Sequence, residues 1–296
     1  MNILVTGGLG FIGSNLVDYL CETPNNDVTV IDNLCSESSS RSYMRDDVEY
    51  WIDDIRNINL AKYAGKEFDV VYHLAALARI QPSFEDPLTY LSTDIIGTAA
   101  VCEYVRHCGA RLVYAGSSSF YAGHFLNPYA FAKYQGEQVC QLYYEVYGVS
   151  TVVARFFNVY GDRQPTTGPY ATVVGIFEDL TQRGFPLTVT DDGNQRRDFT
   201  HVDDICRGLV ALGSRTWCKD DEPRIFNFGT AVNHSINELA DMFGGEKVYL
   251  PKRPGEARHT LADIRLMIKH TNWKPQRTLP EYISSFLKDQ KEKKDA

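Results

Sequence analysis

Tyr129 is followed four residues later by Lys133, a spacing that places both side chains on one face of a helix. It is the only one of the 18 tyrosines with a lysine at that distance. An ammonium beside a phenol favours the phenolate and lowers its pKa from about 10. A phenolate near neutrality can take a proton from a substrate hydroxyl. Twelve residues earlier, Ser117 closes the run Leu112-Val-Tyr-Ala-Gly-Ser117, with Ser118 and Ser119 after it. That run reads as a strand, and ligands of open α/β sheets bind beyond the carboxyl ends of strands. A serine there can hold the same oxygen that Tyr129 deprotonates. A Tyr/Lys pair alone describes many helix surfaces, and a serine run many turns. At adjoining sheet edges, Ser117, Tyr129 and Lys133 read as a catalytic set.

A second group of residues has the spacing of a dinucleotide site. Gly7-Gly-Leu-Gly10-Phe11-Ile12-Gly13 follows the first strand and opens a helix. Glycines let the backbone approach a pyrophosphate, and the helix N-terminus offers free N–H groups and a positive dipole end. The second strand ends at Asp32, nineteen residues after Gly13, with Asn33 next. A carboxylate there holds ribose hydroxyls and repels a 2′-phosphate, so NAD is favoured over NADP. Arg41 lies too far along the loop to clamp a phosphate and reads as a solvated charge.

These residues need a scaffold that alternates strands and helices. Apolar runs at 2–6, 27–32, 69–73, 111–116 and 150–155 read as strands. Helical patterns lie near 11–22, 57–64, 86–108 and 128–147. The alternation predicts an α/β fold, a Rossmann-like, doubly wound parallel sheet. After about Tyr160, turn formers and shorter helices near 202–214, 235–243, 263–270 and 279–290 predict a smaller mixed α/β substrate lobe. The expected division is 1–163 plus about 196–230 for the NAD-binding domain, and about 164–195 plus 231–296 for the lobe.

The 296 residues suffice for a sizeable core. Thirty basic against 38 acidic side chains, a formal charge of −8, argue against a nucleic-acid partner. No apolar run reaches the roughly 20 residues that span a bilayer. The first residues open a strand without the order of a signal peptide. Seven cysteines are scattered without C-x-x-C spacing, and no metal site is expected. Reduced thiols in a cytoplasmic protein are the reading that follows.

Taken in order, the motifs resemble the extended short-chain dehydrogenase/reductase family, and within it the nucleotide-sugar 4-epimerases. They are the glycine turn, the Asp32 strand end, Asp54-Ile55-Arg56, His73-Leu74-Ala75-Ala76, Ser117 and Tyr129-x-x-x-Lys133. The second half adds Arg155-Phe-Phe-Asn158, Gln195-Arg-Arg197-Asp, Asn227-Phe-Gly229 and Arg253-Pro-Gly-Glu256. The resemblance implies that Asp54 and Ile55 flank the adenine and that Leu74, Ala75 and Ala76 line the dinucleotide channel. It implies that Lys133 also holds the nicotinamide ribose. Asn158, Arg197 and Arg253 would bind the substrate diphosphate, for which arginine forks are suited. It further implies a UDP-sugar substrate and a homodimer paired through the helices at 86–108 and 128–147.

Within the family, dehydratases carry Asp-Glu after the residue aligned with Ser117, and decarboxylating relatives carry Glu at the second position. Here both are serines, Ser118 and Ser119. What remains is reversible oxidation of a sugar hydroxyl through a 4-keto intermediate, with hydride returned to the other face. The alternatives are a 4,6-dehydratase or reductase, and a non-catalytic nucleotide sensor. Seven residues after Arg253 the family's non-acetylated-hexose enzymes commonly carry Tyr. Thr260 stands there, leaving room for an N-acetyl group, so UDP-N-acetylglucosamine and UDP-glucose are the expected substrates. Three features depart from the family: a short stretch from Tyr121 to Tyr129, His124 within it, read as an exposed loop residue, and Asp94 in place of Asn.

Overall fold

The structure, a computed structural model, describes residues 1–36, 39–58, 65–215, 217 and 224–295, with Lys294 and Asp295 described by backbone alone. Its centre is a seven-stranded, all-parallel sheet of β1 (Asn2–Thr6), β2 (Asp27–Asp32), β3 (Glu49–Ile52), β4 (Val70–His73), β5 (Arg111–Ser117), β6 (Thr151–Phe156) and β11 (Ile225–Phe228). The order is β11-β6-β5-β4-β1-β2-β3. The five expected strands lie at the centre. The two edge strands are as short as β4 but, unlike it, are not buried along their whole length, so neither stands out as a continuous apolar run.

Successive side chains of a strand face opposite sides. Ile3, Val5, Val70, Tyr72, Val113 and Val152 enter one core, while Leu4, Val71, Leu112, Tyr114 and Val153 enter the other. Helices α1 (Phe11–Cys21) and α8 (Val202–Gly213) cover the first face. Helices α4 (Gly97–Cys108) and α6 (Pro128–Tyr147) cover the second. The long helix expected at 86–108 is three pieces: α3 (Pro87–Leu91), a π turn (Ser92–Ile96) and α4. α2 (Ile80–Glu85) precedes them and α5 (Ser119–Ala122) follows β5. Of the helix expected near 57–64, residues 59–64 lie outside the described set, and Ile55–Asn57 form a 3-10 turn. Cys218 also lies outside it.

The smaller lobe holds α7 (Val173–Arg183), α9 (Ile236–Phe243) and α11 (Leu279–Asp295) around a third core with Phe177, Val189, Leu239 and Ile283. Its strands are short pairs: β7 (Val159–Tyr160) with β10 (Thr200–His201), β8 (Leu187–Thr190) with β13 (Lys247–Leu250), and β9 (Arg196–Asp198) with β12 (Asn233–Ser235). Helix α10 (Arg265–Thr271) returns to the sheet, and Met267 and Trp273 enter the first core. The chain beyond residue 231 thus contributes to both halves.

α6 decides the geometry of the site. Asn127 caps it by accepting from Ala130 N at 2.7 Å, Pro128 occupies its first turn, and Gly148 ends it at φ 70°. At Gly136 the helix touches β5: a Cβ there would stand 2.1 Å from Tyr114 Oη. Glu137 accepts from Arg155 of β6 at 2.9 and 2.6 Å, both side chains nearly inaccessible. Arg155 also lies 3.7 Å from the Phe120 ring centroid and so carries the segment after Ser117. Removing one partner strands a buried charge, a loss of about 3–5 kcal/mol. Urea denaturation of Glu137→Leu is expected to read a loss of that order, and the double variant Glu137→Leu/Arg155→Met a smaller one.

Candidate active site

Two adjoining cavities open above the carboxyl ends of the sheet. The first, about 180 Å³, is lined by Gly7, Gly10, Phe11, Ile12, Gly13, Asp32, Asn33, Ile55, Leu74, Ala75, Ala76, Tyr129 and Lys133. The glycines there have separate reasons. Gly7 sits at φ 73°, and a Cβ on it would meet Ala75 N at 2.7 Å. A Cβ on Gly13 would lie 2.0 Å from Gly7 O. A Cβ on Gly10 would meet nothing closer than 3.4 Å, because Gly10 borders the cavity itself. The first residues of α1, whose amides have no intrahelical acceptor, line the same cavity.

Asp32 forms the cavity wall and fastens two loops, accepting from Leu9 N at 3.0 Å and Leu34 N at 2.8 Å. Burial pushes its carboxyl pKa up, against those two hydrogen bonds. Arg41 is exposed on a 3-10 turn. Asp54 does not line the cavity; its carboxylate takes Arg56 and Asn33, and Arg56 holds it down to about 2. Asp53 is at the wall instead.

The Leu74–Ala76 wall is held from below. Ala75 N donates to Thr6 Oγ1 at 3.1 Å, and Thr6 Oγ1 stands 2.7 Å from His73 Nδ1. On the other side His73 Nε2 lies 3.1 Å from Thr98 Oγ1, which donates to Asp94 O at 2.6 Å. Because Thr98 spends its proton on Asp94 O, its oxygen accepts from the ring, and the buried neutral imidazole carries its proton on Nε2. Burial lowers its pKa to about 3, so it stays neutral. Asp94 Oδ1 accepts from Leu77 N at 2.8 Å, which gives this departure from the family a positioning role.

The second cavity, about 390 Å³, is lined by Ser117, Ser118, Tyr129, Asn158, Arg197, Arg253 and Thr260. Arg79 and Tyr129 belong to both cavities. Tyr129 Oη donates to Ser117 Oγ at 3.2 Å, and Ser119 N donates to the same oxygen at 3.1 Å. Ser117 therefore accepts twice and keeps its own proton to donate into the cavity. Asn158 Nδ2 donates to Asp198 O at 2.9 Å and to Thr260 Oγ1 at 3.4 Å. Arg197 Nη2 stands 3.8 Å from Glu256, and Arg253 is exposed at the mouth. The short 121–129 stretch docks on the lobe: Asn127 Nδ2 donates to Gly255 O, as Gln81 Nε2 does to Pro254 O, both at 3.0 Å. His124, expected to be an exposed loop residue, is half-buried against Tyr134, ring centroids 4.2 Å apart, and lines neither cavity.

The electrostatics depart from the sequence reading. Burial raises the Tyr129 pKa above that of an ordinary phenol, and the Ser117 hydrogen bond only partly offsets it. Lys133, one turn along α6, packs against a second phenol. Its Nζ lies 4.5 Å from the Tyr114 ring centroid, and Asp94 is the leading charge that supports its protonation. Burial lowers the Lys133 pKa all the same.

A sequence profile described as the NAD dependent epimerase/dehydratase family matches residues 3–229. The chain belongs to that family. It is 35% identical over 307 residues to a Methanocaldococcus jannaschii protein provisionally named UDP-glucose 4-epimerase, covering 96% of this chain and 97% of that one. The crystal structure of UDP-glucose 4-epimerase with UDP-glucose from Thermotoga maritima superposes with a TM-score of 0.88 at 29% identity, over 98% of this chain and 99% of the other. UDP-glucuronic acid 4-epimerase from Bacillus cereus, in complex with UDP-glucuronic acid and NAD, gives 0.86 at 27% identity, over 99% of both chains.

The first cavity suits the dinucleotide of this NAD-dependent family: glycines where a side chain would intrude, helix amides for the pyrophosphate, and a carboxylate at the ribose end. Asp32→Ala is expected to weaken NAD binding and to narrow the preference over NADP. Titrating both cofactors against native and variant protein checks this, and equal native affinities would contradict it.

Proposed function

We propose that this protein is an NAD-dependent UDP-sugar 4-epimerase. The observation that carries the reading is Tyr129 hydrogen-bonded to Ser117 at the wall the two cavities share, with serines rather than carboxylates at 118 and 119. The first cavity would hold NAD through Gly7, Gly10, Phe11, Ile12, Gly13, Asp32 and Lys133. When bound, NAD supplies the oxidation and re-reduction of the sugar carbon. Arg197, Arg253 and Asn158 would hold the diphosphate at the second cavity, which leaves the sugar beside Tyr129. Ser117 donates its free proton to the sugar oxygen, and Tyr129, once ionised, removes that oxygen's own proton to become the neutral phenol. On return the same phenol gives the proton back. No carboxylate stands at 118 or 119 to drive loss of water. In this reading the sheet half binds the cofactor and the smaller lobe the sugar nucleotide.

Incubation with a panel of nucleotide sugars and NMR of the products tests the reading. An isobaric 4-epimer supports it; loss of water or no turnover contradicts it.

Thr260 sets the sugar range in this reading. It is buried at the cavity wall, where its oxygen accepts from Asn158 and from Asp198 N. A threonine leaves space near C2 that a tyrosine would fill. The acetylated pair, UDP-N-acetylglucosamine and UDP-N-acetylgalactosamine, is therefore expected to interconvert at least as well as UDP-glucose and UDP-galactose. Thr260→Tyr should lower the kcat/KM ratio between the two pairs, since a steric clash acts selectively. An unchanged ratio contradicts the assignment.

We further take the protein to be a cytoplasmic homodimer. Leu142, Val146 and Tyr147 of α6 are 52%, 61% and 54% exposed, more apolar surface than a lone helix face keeps in water. A four-helix pairing of α4 and α6 across a two-fold axis would cover it. Light scattering at micromolar protein is expected to give twice the chain mass, and a monomer would refute it.

A further inference from the structure

The turn that carries Arg253 and the helix that carries Tyr129 meet at one side chain. Asn127 is buried at the wall of the second cavity, immediately before α6. Its Oδ1 caps the helix, accepting from Ala130 N at 2.7 Å, and its backbone oxygen accepts from Phe131 N at 3.1 Å. Its Nδ2 donates to Gly255 O at 3.0 Å. A backbone N–H only donates and a carbonyl only accepts, so the two partners fix which way the amide points. Serine, aspartate and asparagine cap helices about equally well. Of these, asparagine alone accepts from the helix with one side-chain atom and donates elsewhere with another.

Gly255 belongs to the turn Arg253-Pro254-Gly255-Glu256 and sits at φ 72°. The turn presses on the sheet half: a Cβ on Gly255 would stand 2.9 Å from Phe84 Cζ and 3.3 Å from Asn127 Cβ. Gln81 of α2, a helix packed on α6, donates to Pro254 O at 3.0 Å. The same turn gathers both arginines of the second cavity. Arg253 opens it, and Glu256 closes it 3.8 Å from Arg197. Arg253 and Tyr129 each lie two residues from the Asn127–Gly255 bond. Because the stretch from Tyr121 to Tyr129 is short, the turn reaches the start of α6 directly.

We propose that Asn127 is a positioning residue of the reaction: it ties the turn that binds the diphosphate to the first turn of α6, so that seating the diphosphate also seats Tyr129. This rests on the reading of Arg197 and Arg253 as diphosphate ligands and of Tyr129 as the base. Asn127 moves no proton itself. Binding energy from a part of the substrate that does not react can be spent on orienting the groups that do. The diphosphate is the same in both epimers, so the tie serves the reaction in both directions. A misplacement of about 1 Å in such a group costs on the order of 100-fold in rate.

Asn127→Asp and Asn127→Ser separate the cap from the tie. Both still cap α6, and their urea midpoints are expected to stay close to native. Ionised aspartate has no proton to donate, and serine is too short to reach Gly255 O. On the nucleotide sugar that the native chain epimerises, both variants are expected to lower kcat about tenfold or more, with UDP affinity by calorimetry within about twofold of native. Gly255→Ala, which crowds the tie from the other side, should show the same split. Native kcat in both Asn127 variants overturns the proposal, since Asn127 would then be a cap only. Lost UDP affinity with native kcat also overturns it, since the bond would then serve binding alone. Hydrogen exchange at the first turn of α6 reads the coupling without turnover. UDP is expected to slow it in the native chain and not in Asn127→Asp, and an equal response in both overturns the proposal. If the native chain turns over no nucleotide sugar, the epimerase reading fails, while the exchange measurement still decides whether the tie transmits.

Discussion

The close approach of α6 to strand β5 is the constraint on which the site depends. A helix can lie that near a strand only where it carries no side chain, and Gly136 provides the place, against Tyr114. The approach is then fixed by charge. Glu137 and Arg155 meet in a bidentate pair between helix and sheet, and Gly116 is bare where Glu137 passes. Two turns before Gly136, the same helix presents Tyr129 to Ser117 at 3.2 Å. A buried pair of this kind adds little net stability over an apolar contact, but it tolerates few arrangements. Register between helix and strand end is what a proton transfer over one hydrogen bond requires.

Desolvation follows from the same packing and governs the chemistry. It raises Tyr129, lowers Lys133 and His73, and takes Asp94 up to about 7. Each of these groups is therefore held in its protonation state by particular neighbours rather than by water. His73 is locked as a neutral strut between Thr6 and Thr98. Asp94 spends one oxygen on Leu77 N, and its other oxygen has no hydrogen-bond partner. Around Tyr129 the balance lies between Asp94, which opposes ionisation, and Arg79, which favours it.

Much of this was legible in the sequence where the physics is local. The glycine turn, Asp32 and the Tyr129–Lys133 spacing are each set by a few consecutive residues, and all of them line the first cavity. The central strands were legible because both faces of the sheet are buried and the runs stay apolar. What depended on distant packing was not. His124 reads as an exposed loop residue, yet it is half-buried against Tyr134. Helix α7 did have signals, a Thr172 cap and Gly184 at φ 70°, but they lie in a stretch dense with turn formers. The lobe's strands are two to four residues long, below the length at which alternation can be read.

In the function proposed, the α6–β5 contact puts the Tyr129 hydroxyl where a substrate proton must go. Replacing Tyr129 with Phe removes that one oxygen and leaves the ring, the helix and the first cavity in place. The decisive measurement is the turnover of Tyr129→Phe on whichever nucleotide sugar the native chain epimerises, with NAD affinity measured alongside. A fall of about 10²–10⁴-fold is expected, the usual worth of a positioned proton-transfer group, with NAD affinity close to native. Native turnover in the variant would contradict it.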